Sequence, residues 1–84
     1  MTREEIAEYN EEALICDGFD EAIIGVAERI NLGPVAAYSV EKIIEILMER
    51  DDMTYEDAHE HFSYNIIGSW MGEYTPVFIY TNQE

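Results

Sequence analysis

AIIGVAERINLGPVAAYSVEKIIEILMER, residues 22–50, is the stretch whose reading decides the fold. Its opening, residues 22–30, fits either a helix or a strand; the β-branched content and Gly25 tilt it to a strand. Alternation then places Ile24, Val26 and Ile30 on one face, with Glu28 breaking the pattern. Asn31-Leu32-Gly33-Pro34 is a turn cluster, and Val35 to Tyr38 reads as a second short strand, so the pair forms a hairpin. Ser39 then caps a helix whose apolar stripe is Val40, Ile43, Ile44 and Leu47.

Downstream, that helix ends near Arg50-Asp51-Asp52. Thr54-Tyr55-Glu56-Asp57 is another N-cap signature, with Met53 and Ala58 placed as a hydrophobic staple. This third helix is expected to turn Tyr55, Ala58, Phe62 and Ile66 inward. Gly68 and Gly72 bracket a Trp70-Met71 loop, and Thr75 to Tyr80 reads as a terminal strand that tolerates Pro76 at its start. Upstream, Thr2-Arg3-Glu4-Glu5 is a capping box opening a helix expected to run to about Ile15. Ile6, Tyr9, Ala13 and Cys16 form its inner face, and Asp17-Gly18 its stop. The expected order is α-β-β-α-α-β: one small α+β domain over residues 1–84, with a short antiparallel sheet of about three strands packed by helices.

With 84 residues the chain has room for a single small core, and its 48% apolar content and ten aromatics argue against disorder. Nineteen acids against four bases give a net charge of −15. No basic patch can be built from Arg3, Arg29, Lys42 and Arg50, which argues strongly against direct binding to DNA or RNA, and an anionic membrane would repel the surface. The first residues read as an acidic amphipathic helix and not as a signal peptide. The lone Cys16 rules out an internal disulfide and fits a reducing cytoplasm. Seventeen of the acids fall within residues 1–60, in runs of no more than two, interleaved with apolar residues at structural periods. The charge is therefore carried on folded elements.

Chemistry-bearing motifs are sparse. The chain has no Gly-rich phosphate loop, no GxSxG, no HExxH and no CxxC, and it is expected not to be an enzyme and to need no cofactor. Cys16 could pair with His59 or His61 as a nucleophile, but surrounding anions would raise its pKa. Asp57, His59 and His61 are weak candidates for a metal site, because a closed site needs at least three converging ligands. The stronger signal is an acidic ridge. Glu41, Glu45 and Glu49 recur every four residues along one helix, and Asp51, Asp52, Glu56 and Glu60 continue the surface into the next. Rigid carboxylates at this spacing imitate the charge field of a nucleic-acid backbone and suit an Arg/Lys-lined groove. Ile66, Ile67, Trp70, Met71 and Tyr74 supply a second, apolar signal, either core or the seam of a homodimer.

The chain resembles a small acidic protein family found in tailed-phage and prophage genomes. The resemblance is carried by Glu41-Lys42-Ile43-Ile44-Glu45-Ile46-Leu47-Met48, the Met53-Thr54-Tyr55-Glu56-Asp57-Ala58 cap, and Tyr64-Asn65 through Gly68, Trp70, Gly72, Pro76 and Phe78. Asp17-Gly18-Phe19-Asp20 and the strand at Val35 to Tyr38 also fit, so it covers residues 14–80. It implies a phage accessory gene and supplies no catalytic residues. Small acidic phage proteins of this kind include anti-restriction and anti-CRISPR inhibitors that mimic nucleic acid. The expectation is a non-enzymatic inhibitor that binds a basic nucleic-acid-handling host protein. The alternatives are an accessory interaction protein or homodimer without mimicry, and a small metal-binding protein built on His59 and His61.

Overall fold

A twisted hairpin forms the centre of the computed structural model, which describes residues 1–66 and 72–81. Strand β1 (Ile23–Arg29) runs antiparallel to β2 (Leu32–Ser39), with Val26 opposite Ala36 and Ala27 opposite Val35. Ile30 and Asn31 make the turn, and Asn31 takes the left-handed conformation (φ 62°) that its short polar side chain tolerates.

The strand reading of residues 22–30 holds, but its inward face is different from the expected one. Ile23 is buried, whereas Ile24 and Ile30 are 49% and 89% exposed. For Ile24 the reason is a bulge, two steps along β1 between Ile23 and Gly25 matching one along β2, whereas Ile30 lies beyond the strand in the turn. An extra residue shifts the alternation by one, so Ile23 and Val26, three apart, both pack on the core. A second irregularity, between Ala27 and Arg29, falls at Glu28, where the pattern broke in sequence.

Helix α1 (Arg3–Tyr9) opens with the anticipated capping box, the Thr2 hydroxyl accepting from the Glu5 N–H. It stops at Tyr9 and does not reach Ile15. Asn10 ends it by bonding elsewhere. Its Oδ1 accepts the Glu12 N–H at 3.0 Å and its Nδ2 donates to the Pro34 carbonyl on β2 at 2.8 Å. Ile6 is buried, Ala13 and Cys16 are half-buried against the core, and Tyr9 points outward, contrary to its expected inward place. A single 3₁₀ turn (Asp20–Ala22) leads into β1. Gly18 has φ +90°, the left-handed conformation expected of it, although α1 ends well before it.

Helix α2 (Val40–Arg50) is capped by Ser39, whose hydroxyl accepts the Lys42 N–H at 3.2 Å, and buries Val40, Ile43, Ile44 and Leu47 as anticipated. Asp52 takes a left-handed conformation (φ 56°) just past its end, a position open to Asp, Asn and Gly. Helix α3 (Tyr55–His61) starts at the Thr54 cap and passes into a π-helical turn (Phe62–Ile66). Ala58 and Phe62 are buried and Ile66 packs on the core, but Tyr55 is 61% exposed. Its ring instead stacks edge-on against His59, one turn ahead on the outer surface, with centroids 4.6 Å apart.

Strand β3 (Val77–Ile79) completes the sheet in the order β1-β2-β3. It lies parallel to β2, so the sheet is mixed and not wholly antiparallel as expected. The chain between β2 and β3 carries two helices, long enough to bring the last strand back in the same direction. The result is the anticipated α+β class and element order. Tyr38 and Phe62, both fully buried, each pack on Phe78, at 5.8 and 5.4 Å between centroids. Every residue of β2 from Val35 to Ser39 is buried, so both faces of the central strand are covered. Trp70 and Met71 lie outside the described residues.

Candidate partner-binding surface

The ridge residues stand where two capped helices put them, but they do different things. Glu41, in the first turn of α2, accepts from the Thr81 hydroxyl at 2.9 Å and from the Thr81 N–H at 3.3 Å. Those bonds, the Thr81 hydroxyl foremost, hold its carboxyl below the usual glutamate range. Glu45 pairs with Lys42 at 3.6 Å across one turn, both side chains more than half exposed. Asp51 pairs with Arg50 at 3.2 Å. Glu49, Asp52, Glu56 and Glu60 are exposed, and among the described residues they make no hydrogen bond or ion pair.

Nor do all seven line one groove. Glu41 and Glu45 flank a cleft of about 350 Å³ between α2, α3 and the end of β3, whose other walls include Ile44, Met48, Tyr55 and Tyr80. Glu49 lines a second depression together with Glu21, Ile46 and Gly18. Glu60 lines a third with Asp57 and His61. A row that recurs every four residues drifts by about 40° per step around a helix of 3.6 residues per turn, which carries Glu49 away from Glu41. Glu21 and Tyr80 carry no sequence signal that marks them as part of a site. Glu21 sits on the short 3₁₀ turn before β1, and Tyr80 in the terminal segment, so neither belongs to a local periodic pattern.

All four basic residues have partners within the chain. Arg3 forms a two-pronged bond to Asp20, at 2.7 and 2.8 Å, and reaches Asp17 at 3.4 Å. That pairing, chiefly the hydrogen bond, holds the Asp20 carboxyl below its ordinary range. Arg29 donates twice to the Gly33 carbonyl, closing the end of the hairpin. Lys42 meets Glu45. Arg50 donates to the Gly18 carbonyl at 3.0 Å, pairs with Asp51 and lies 4.9 Å over the Phe19 ring.

The chemistry considered for catalysis and metals does not converge. Burial pushes the Cys16 thiol up, and its N–H donates to the buried Tyr38 hydroxyl at 2.8 Å. His59 stacks on Tyr55 and lines the α2–α3 cleft, while His61 lies on the far side of the same helix within 3.3 Å of the Asn65 amide. Among the described residues no group of three or more His, Cys, Asp or Glu side chains is placed to hold a metal ion. No helix there is long and apolar enough to cross a membrane. Comparison with protein families, with curated proteins and with solved structures returns no match for this chain.

Proposed function

We propose that this protein is a non-enzymatic acidic inhibitor that binds a basic, nucleic-acid-handling protein of a bacterial host, acting as a nucleic-acid mimic in phage counter-defence. The observation that carries the reading is the distribution of partners. Every base is engaged internally, while Glu49, Asp52, Glu56 and Glu60 around the α2–α3 corner stay exposed and unpaired among the described residues. A surplus of −15 is well beyond the magnitude of about 2–8 that solubility requires of a small domain. Self-repulsion at that charge destabilises the compact state, so the surplus is maintained against a cost. Binding a cationic surface relieves it. The resemblance to phage proteins supplies the setting, the cytoplasm of a bacterial host.

The test is capture of basic proteins from bacterial lysate, followed by challenge with duplex DNA and with salt. The expected outcome is one dominant nucleic-acid-binding protein, released by DNA and by moderate salt. Changing Glu49, Glu56 and Glu60 to Gln and Asp52 to Asn together should weaken its capture. Capture that is indifferent to DNA, salt and these substitutions would sink the mimicry.

A second reading, an accessory protein or homodimer, draws on exposed apolar residues of the hairpin, Ile30 and Leu32 at its turn (89% and 44% exposed) and Ile24 near its open end (49%). Two copies each carrying −15 repel, so a dimer should tighten as salt rises, opposite in sign to capture of a basic partner. Sedimentation equilibrium across a salt series distinguishes the two.

A further inference from the structure

The geometry points to the cleft between α2 and α3 as a receptor for a single cationic side chain, an arginine, presented by a basic partner. This rests on the binding reading above and adds to its exposed acids one specific site beside them.

The cleft holds about 350 Å³, at the small end of ligand pockets, which suits one long side chain better than a whole metabolite. Ile44 and Met48 give an apolar lining for an aliphatic stem. Tyr55 and Tyr80 add aromatic walls, and both rings are exposed, at 61% and 63%. The faces of such rings attract a flat cation. Glu41 and Glu45 supply carboxylates at the rim. An anion would meet those two charges and be repelled, and a neutral ligand would desolvate them without return. Only a cation with an apolar stem satisfies all three parts of the lining.

Two contacts prepare the cleft in advance. The His59 ring, 4.6 Å from that of Tyr55, restricts its motion. Thr81, bonded through both its N–H and its hydroxyl to Glu41, anchors the backbone next to Tyr80 and fixes the carboxylate. Ordering that is complete before binding does not oppose it. The Lys42–Glu45 pair is exposed on both sides and therefore weak enough to yield to an incoming guanidinium.

The experiment is calorimetric titration of the whole protein with an arginine-rich peptide and with the same peptide carrying lysine in place of arginine. The variants are Tyr55→Leu combined with Tyr80→Leu, and Glu56→Gln combined with Glu60→Gln. Leucine retains apolar area and removes the aromatic face, and circular dichroism checks that each variant is folded. The expected result is tighter binding of the arginine peptide than of the lysine peptide by wild type. The tyrosine variant should lose about tenfold toward the arginine peptide and most of that preference. The glutamate variant should weaken both peptides alike. Three results would overturn the inference. A folded tyrosine variant that binds like wild type, or a wild type indifferent to arginine versus lysine, removes the cleft and leaves the acidic surface standing. If neither peptide binds at low salt, the acidic-surface reading fails and the cleft falls with it.

Discussion

The beginning of α2 and the corner where α2 gives way to α3 carry the same kind of residue at the same spacing, and use it in opposite ways. At the beginning, Glu41 is a structural carboxylate that ties the end of β3 to a helix by way of Thr81. At the corner and along α3, Asp52, Glu56 and Glu60 face solvent with no internal donor among the described residues. Nothing in the residue type separates the two. What separates them is whether a donor from a distant part of the chain arrives nearby. A charge with a donor at hand adds to the fold, while one without adds repulsion that only a partner relieves.

The largest effect should come from removing the scaffold common to both ends. Leu47 is fully buried under α2, and Leu47→Ala should cost about 2–5 kcal/mol. That approaches the whole stability of a domain this size, so the distinction between the two ends should vanish with the helix, as urea denaturation would show. Gly18→Val should cost about 1 kcal/mol or more, because a side chain there must adopt φ +90°. Its Cβ would also lie 2.9 Å from the Arg50 guanidinium, displacing the cation that engages Gly18, Phe19 and Asp51. Unchanged thermal stability would refute the constraint. Smaller still, and of opposite sign, are two matched neutralisations. Glu41→Gln should lower Tm slightly through its loss at Thr81, and Glu60→Gln should raise it slightly by relieving repulsion. If both shift Tm in the same direction, the two ends are not different in kind.

How far each feature could be read in sequence follows the same division between local and distant determinants. Ser39 with Lys42 and Thr54 with Asp57 place each cap three residues from its donor, so the starts of α2 and α3 were legible. The stripe from Val40 to Leu47 was legible because burial follows a single helical period. The end of α1 was not, since Asn10 bonds to Pro34, twenty-four residues away. The inward face of β1 depends on a bulge, which is a property of the pairing with β2 and not of β1 alone. The direction of β3 is set by the two intervening helices. The acidic row itself was visible, but Glu41 meets Thr81 forty residues on, and Arg50 meets Gly18 thirty-two residues back. Those pairings decide which members of the row are free, and no spacing rule contains them.

The mildest test is titration, and it bears directly on Glu41. Its carboxyl is held below the ordinary glutamate range of about 4.3, first by the Thr81 hydroxyl. A group depressed in the folded state contributes stability that is fully present above its unfolded pKa and is lost as pH falls through the folded value. The Thr81 amide signal should therefore hold steady as pH drops through the usual glutamate midpoint and shift only below it. Asp20, depressed by Arg3, weakens the fold in the same acid window, so Asp20→Asn is the background in which to isolate Glu41. Tyr38 provides the alkaline counterpart. Burial pushes its phenol up to about 12, so its contribution is present below about 10 and lost as pH rises toward 12. In the Asp20→Asn background, adding Glu41→Gln should flatten the acid limb and leave the alkaline limb in place. A Thr81 amide that instead follows the ordinary glutamate midpoint would mean that Glu41 is not engaged in solution. Glu41 would then join the free carboxylates, and the contrast between the two ends of the row would disappear.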